Sequence, residues 1–173
     1  MSRVLVLGGS RSGKSAHAES LLAGRDDVTY LATSAPSAED AEWTARVAAH
    51  RVRRPPSWTT VETTEPSGLL LGGALLVDSV TTWVAALMDD SGVWTEEPDA
   101  LERLAARCDA LLTAWTATRA HVVAVSDEVG LGVVPETRAG RLFRDTLGGV
   151  NQRLAATADE VWFVVAGLPQ RLR

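Results

Sequence analysis

Lysine is all but missing from this chain: Lys14 is the only one, and every other basic residue apart from three histidines is arginine. The Asn-Lys-x-Asp segment by which switch GTPases read guanine needs a lysine of its own, so an ordinary switch GTPase is disfavoured and a GTP-binding regulator stands only as the last alternative. Cysteine is just as scarce. Cys108 stands alone, no internal disulfide can form, and with no histidine near it in sequence it reads as a packed helix residue rather than a thiolate nucleophile. No apolar run reaches the roughly 18–20 residues that a spanning helix needs. The opening RVLVLGG is too short for the apolar region of a signal peptide. These absences predict a cytoplasmic protein with no membrane span. A net charge of −5 gives no support to a general nucleic-acid or membrane-surface role. Repeats, low-complexity tracts and interdomain linkers are absent too, and 173 residues suffice for one domain, residues 1–173, with a full core.

What is present is an alternation of short apolar runs and helical patterns. VLVL (4–7) reads as a buried strand ending in glycines, and KSAHAESLLAG as a helix closed by Gly24. VTYLA (28–32) is a second strand. Ser37 and Asp40 resemble a capping box opening a helix that runs to His50, and Pro55 with Pro56 stops it. WTTVE (58–62) and ALLVD (74–78) read as strands, SVTTWVAALM (79–88) and residues 99–119 as helices, and HVVAVS (121–126) as a fifth strand. Another helix is expected from Pro135 with a break at Gly148-Gly149, then a last strand at EVWFVVA (160–166). Trp83, Trp115 and Trp162 are expected to pack in the core. Strands apolar on both faces, alternating with helices, predict an α/β fold, a mostly parallel sheet with helices on both faces, and the glycine-rich stretch after the first strand makes it P-loop NTPase-like.

GGSRSGKS (8–15) contains G-x-x-x-x-G-K-S after an apolar strand and before a helix, which is the context the Walker A motif requires. Glycines Gly8, Gly9 and Gly13, with Ser10, Arg11 and Ser12 between them, let backbone N–H groups close around phosphate oxygens. Lys14 would reach the β- and γ-phosphates, and Ser15 would offer its hydroxyl to Mg²⁺. The second magnesium-side residue is expected at the end of a buried strand, where ALLVD places Asp78; capping the next helix is its other reading. DEVG (127–130) matches the D-x-x-G of switch GTPases, but without the guanine reader the match carries nothing. A small-molecule kinase remains open, and the P-loop alone goes no further.

Several stretches together resemble one family: GGSRSGKS-x-HAE, the YLATS turn, R-V-x-x-H-R-x-x-R-P-x-x-W, and EVGLGVVPETRAGRLFRDTLGGVNQRLAATADEVWFVVAG. The resemblance, to the bifunctional adenosylcobinamide kinase / adenosylcobinamide-phosphate guanylyltransferases of cobalamin biosynthesis, runs from Val4 to Gly167. It implies two reactions. ATP or GTP phosphorylates the aminopropanol hydroxyl of adenosylcobinamide, and GTP then gives its GMP moiety to adenosylcobinamide-phosphate through a GMP–histidine intermediate. It also implies a homotrimer.

The histidine in the matching segment is His50. A neutral imidazole, with an ordinary pKa of about 6.5, is a usable nucleophile near pH 7. The neighbouring Arg51, Arg53 and Arg54 suit the holding of a triphosphate by guanidinium forks. On its residues alone, His50 reads more readily as a structural or exposed cation at a helix end, and it is the resemblance that makes it the nucleophile. His17 stands second as a candidate nucleophile, and His121 reads as structural. The resemblance also places Val52, Ala32, Thr33, Ser34 and Glu62 around GTP, although each could be a turn or cap residue. Glu128 is a candidate acid/base or substrate contact. Asn151, Gln152 and Arg153 belong to the matching segment without an assigned chemistry.

Overall fold

Two layers of apolar side chains on opposite faces of one sheet account for most of the architecture. The computed structural model describes residues 1–33, 54–69 and 72–173. In chain order the elements are β1 (Ser2–Gly8), α1 (Lys14–Ser20), β2 (Val28–Ala32), β3 (Thr59–Glu62), a 3-10 turn (Pro66–Leu69), β4 (Ala74–Asp78), α2 (Val80–Ser91), α3 (Ala100–Ala117), β5 (His121–Asp127), α4 (Arg138–Thr157), β6 (Glu160–Val165) and β7 (Leu168–Arg171). The strands form one sheet in the order β3-β2-β4-β5-β1-β6-β7. Every pairing is parallel except β6 with β7.

Side chains alternate across a strand, and here both faces are covered. Leu5 and Leu7 of β1 join Leu75, Val77, Val122 and Ala124 under α2, α3 and α4. Val4 and Val6 point the other way, with Tyr30, Leu76, Val123 and Val125, towards Ala18 of α1, Leu22 and Trp58. Trp83 and Trp115 are buried in the first layer, as is Cys108, while Trp162 packs half-buried against the second.

Four expectations need correction. Gly148-Gly149 does not break the helix, because α4 runs through to Thr157. Two mid-helix glycines cost about 1 kcal/mol each, whereas Leu147, Val150 and Leu154 on its inner face are buried and contribute about 1.5–3 kcal/mol apiece. Packing wins. That helix starts at Arg138 rather than Pro135, since Thr137 caps it by accepting from the Gly140 N–H. Helix α1 ends at Ser20, with turns filling the stretch to Gly24. Asp78 is not the cap of α2. Ser79 is, in a reciprocal capping box with Thr82.

The seventh strand has no counterpart among the expected elements. Its residues LPQR are all exposed and carry no apolar alternation. The turn that pairs it with β6 is made by Ala166 and Gly167, both at positive φ (51° and 80°), as a two-residue hairpin of the primed type requires. Ala-Gly hides that turn where Asn-Gly would have announced it. The expected helix from Ser37 to His50 lies outside the described residues.

Candidate active site

Parallel strands put their carboxyl ends along one edge, and the loops there form the site. Register aligns the edge: Gly8 of β1 lies opposite Asp127 of β5, Asp78 of β4 opposite Ala32 of β2, and Ala32 opposite Glu62 of β3. Residues 8–15, Ala32, Thr33, Glu62 and Asp78 thus reach a common edge from positions far apart in the chain.

The loop from Gly8 to Lys14 is held from beneath. The Ser12 N–H donates to the Gly9 carbonyl (3.2 Å), the Gly167 N–H donates to the Ser12 carbonyl (2.8 Å), and the Lys14 N–H meets Ser12 Oγ at 3.3 Å. Gly13 has φ +93°, and a Cβ there would lie 3.2 Å from Gly167 Cα. At Gly8 a Cβ would stand 2.5 Å from Ser12 Oγ and 2.6 Å from the Val164 carbonyl. Gly8 is therefore demanded by close approach, and Gly13 by its backbone conformation and close approach. The end of β6 and the β6–β7 turn are the floor they approach.

Lys14 does not point into open solvent. Its ammonium donates to the Gly9 carbonyl (3.2 Å) and pairs with Asp127 Oδ1 at 2.5 Å. The Asp127 backbone is fixed from two sides: its N–H donates to Thr81 Oγ1 of α2 (2.7 Å), and its carbonyl accepts from Asn151 Nδ2 of α4 (3.0 Å). Asp127 is a residue of this edge that motif reading missed. The carboxylate was visible in DEVG, but only the sheet order, with β5 beside β1, shows that it meets the P-loop lysine.

On the next strand Asp78 Oδ2 accepts from the Tyr30 hydroxyl at 2.8 Å. Burial, and then the Asp78 charge, push the Tyr30 phenol well above its ordinary range, so it stays protonated and remains a donor. The Arg54 guanidinium lies 3.5 Å over the Tyr30 ring and donates to Thr60 Oγ1, an arrangement that fits a cation on an aromatic face. Thr33 is fully buried and its hydroxyl donates to the Ser79 carbonyl at 2.5 Å, tying the end of β2 to the start of α2. Ser34, His50, Arg51, Val52 and Arg53 lie outside the described residues.

The competing histidines are packed into the fold. His17 sits edge-on to Trp162 with ring centroids 4.9 Å apart, its Nε2 buried without a hydrogen-bond partner, and burial lowers its pKa. His121 Nδ1 bonds Ser2 Oγ at the opposite edge. Glu128 continues from Asp127; its N–H donates to the Gly8 carbonyl (3.2 Å) and its Oε1 accepts from the Gly130 N–H (2.5 Å). Arg153 pairs with Asp109 on the helical face. A depression of about 340 Å³ lined by Leu112, Thr116, Arg153 and Thr157 lies where α3 and α4 end, near the amino ends of the strands, and holds no part of this site.

Ser15 and Asp78 offer only oxygen donors. Magnesium takes such donors, one or two carboxylates and a hydroxyl completed by phosphate oxygens. Among the described residues no group of three or more His, Cys, Asp or Glu could hold a metal by itself. The donor set fits a cation that arrives with a nucleotide.

Comparison with known proteins places this geometry. Over 98% of its length, the chain is similar to a prototypical ATPase from the type III secretion system of pathogenic bacteria, with a TM-score of 0.55, 15% identity and 56% of that chain covered; this likeness shows the fold alone. It is 42% identical over 182 residues to the bifunctional adenosylcobalamin biosynthesis protein CobU of Escherichia coli (strain K12), covering 98% of this chain and 99% of that protein. The CobU protein of Salmonella typhimurium is 41% identical over 183 residues, with the same coverage. The protein CobP of Pseudomonas aeruginosa is 39% identical over 180 residues, covering 99% of this chain and 97% of that protein. A family model described as cobinamide kinase / cobinamide phosphate guanyltransferase matches residues 4–172, and with relatives this similar along nearly the whole chain, the chain belongs to that family.

Proposed function

We propose that this one domain, residues 1–173, carries both reactions of the family. In the first, the aminopropanol hydroxyl of adenosylcobinamide attacks the γ-phosphorus of ATP or GTP. The bond to the bridging oxygen breaks, a nucleoside diphosphate leaves, and the hydroxyl proton passes to a base. The observation that carries this half is the P-loop, with Lys14 held at its mouth by Asp127. A lysine there neutralises charge on the transferred group, and positioning with charge stabilisation supplies most of the catalysis in phosphoryl transfer. Ser15 and Asp78 are the residues that would hold Mg²⁺, which when bound offsets phosphate charge.

In the second reaction the His50 imidazole attacks the α-phosphorus of GTP, forming a P–N bond and expelling pyrophosphate. A phosphate oxygen of adenosylcobinamide-phosphate then attacks the same phosphorus, breaks the P–N bond and yields adenosylcobinamide-GDP. Splitting the transfer in this way replaces one difficult displacement by two easier ones. Arg51, Val52, Arg53, Arg54, Glu62, Ala32, Thr33 and Ser34 are assigned to GTP, with the arginines binding the triphosphate. A homotrimer in the cytoplasm is part of the same reading, and the lone buried thiol of Cys108 suits a reducing compartment.

Incubation with α-³²P-GTP and Mg²⁺, without corrinoid, tests the second half directly. Wild-type protein is expected to take an acid-labile, base-stable label that His50→Ala loses. A label that persists in the variant would move the nucleophile to another residue. No label on folded, GTP-binding wild type would leave a P-loop kinase with one activity.

A further inference from the structure

The segment EVGLGVVP and the arginines that follow it in the chain are not used by any nucleotide motif. The structure shows what they build. Arg144 of α4 donates from Nη1 to the carbonyls of Gly132 (3.2 Å) and Val133 (3.1 Å), and from Nη2 to that of Gly130 (2.9 Å). Arg141 donates to the carbonyls of Pro135 and Glu136, and the Glu128 carboxylate holds the Gly130 N–H. Five backbone carbonyls between Gly130 and Glu136 are thus strapped to the first turns of α4. Yet the loop presents apolar side chains outward: Leu131 is 80% exposed, Val133 96% and Val134 63%. Isolated apolar residues on a surface need no explanation, but a held loop with three of them in four positions does.

Its place matters as much as its chemistry. The loop leaves β5 directly after Asp127, whose carboxylate holds the P-loop lysine. Leu131 stands four residues further on, so it lies at most about 14 Å from Asp127. A kinase acceptor must bring its hydroxyl to the phosphoryl group at this edge, and cobinamide is a broad corrin macrocycle carrying that hydroxyl on a short arm.

Resting on the proposed function, we propose that Leu131, Val133 and Val134 form the wall against which the corrin face of the acceptor lies, while its aminopropanol arm reaches past Asp127 to the P-loop. Arg144 is a positioning residue for this wall. The contact is apolar and sheds water from both surfaces, which suits the macrocycle and leaves its peripheral amides solvated.

The test compares wild type with Leu131→Ser/Val133→Ser, with the single change Val133→Asp, and with Leu172→Ser. Leu172 is a comparably exposed apolar residue (59%) at the opposite edge of the sheet. The measurements are KM for adenosylcobinamide, KM for GTP, labelling by α-³²P-GTP without corrinoid, and sedimentation. The expected result is a rise of roughly tenfold or more in the corrinoid KM for both loop variants. GTP KM, self-labelling and assembly size should stay within twofold of wild type, and Leu172→Ser should match wild type throughout. An unchanged corrinoid KM in active loop variants would overturn the proposal alone. A smaller sedimenting species would overturn it in favour of a contact between copies of the chain. Wild-type protein that phosphorylates no cobinamide would sink the proposal together with the function beneath it.

Discussion

Asp127 occupies Lys14 in a way that a triphosphate must undo. The ammonium sits 2.5 Å from the carboxylate, where phosphate oxygens would also seek it, and the carboxylate repels those oxygens. Asp127→Asn keeps the shape and the backbone bonds to Thr81 and Asn151 while removing the charge. Magnesium-free GTP is then expected to bind roughly tenfold more tightly, a change of about 1.4 kcal/mol that is modest beside one charge pair in a half-buried setting. Cobinamide phosphorylation should nevertheless slow, by about 10²-fold, if the carboxylate also takes the hydroxyl proton. Titration calorimetry and steady-state rates read the two effects separately. Weaker GTP binding in the variant would refute the competition argument.

At the scale of elements, α4 explains why a segment so recognisable in sequence had no chemistry assigned to it. Asn151 buries its amide to hold the Asp127 carbonyl, and Arg144 holds the loop beyond. Neither role is encoded locally, because each partner lies on another element and meets the helix only once α4 crosses the sheet. The strands were legible for the opposite reason, since being apolar on both faces is a property of each strand by itself. Strand β7 and the unbroken α4 were not, because an exposed edge strand carries no pattern and tertiary burial outweighs glycine propensity. Arg144→Ala should therefore act locally. Three carbonyls lose charged donors at a solvent-facing site, costing about 1–2 kcal/mol in all. Amide exchange at residues 130–134 should speed up well beyond that of the β5 core. Uniform acceleration across the sheet would mean instead that Arg144 stabilises the whole fold.

For the whole molecule, the glycine loop between β1 and α1 and the place of Asp78 at the end of β4 were readable in advance because each is a local pattern, whereas the place of Asp127 required knowing that β5 inserts between β4 and β1. The same topology half-buries two histidines whose protons affect global stability. Burial lowers the pKa of His17, packed on Trp162. Burial, then the Arg25 and N-terminal charges, lowers that of His121, against a smaller opposing pull from Glu160. Each therefore binds fewer protons in the fold than in the unfolded chain. Above the unfolded value of about 6.5 both states are neutral and pH has no effect through these groups. Below it the unfolded chain takes up protons that the fold refuses, and stability falls with pH until the folded values are passed. The slope stays under about 1.4 kcal/mol per pH unit for each histidine, reduced further by solvent screening. The shifted carboxylate Asp159, whose pKa is lowered by the Arg3 N–H and side chain, loses its contribution only in more acid solution, so the two windows separate. Urea unfolding at pH 8, 7.5 and 5.5 should show stability nearly level between the first two and lower at the third, with His17→Leu removing part of the drop. A wild-type curve that stays flat to pH 5.5 would mean that both imidazoles titrate as freely in the fold as outside it.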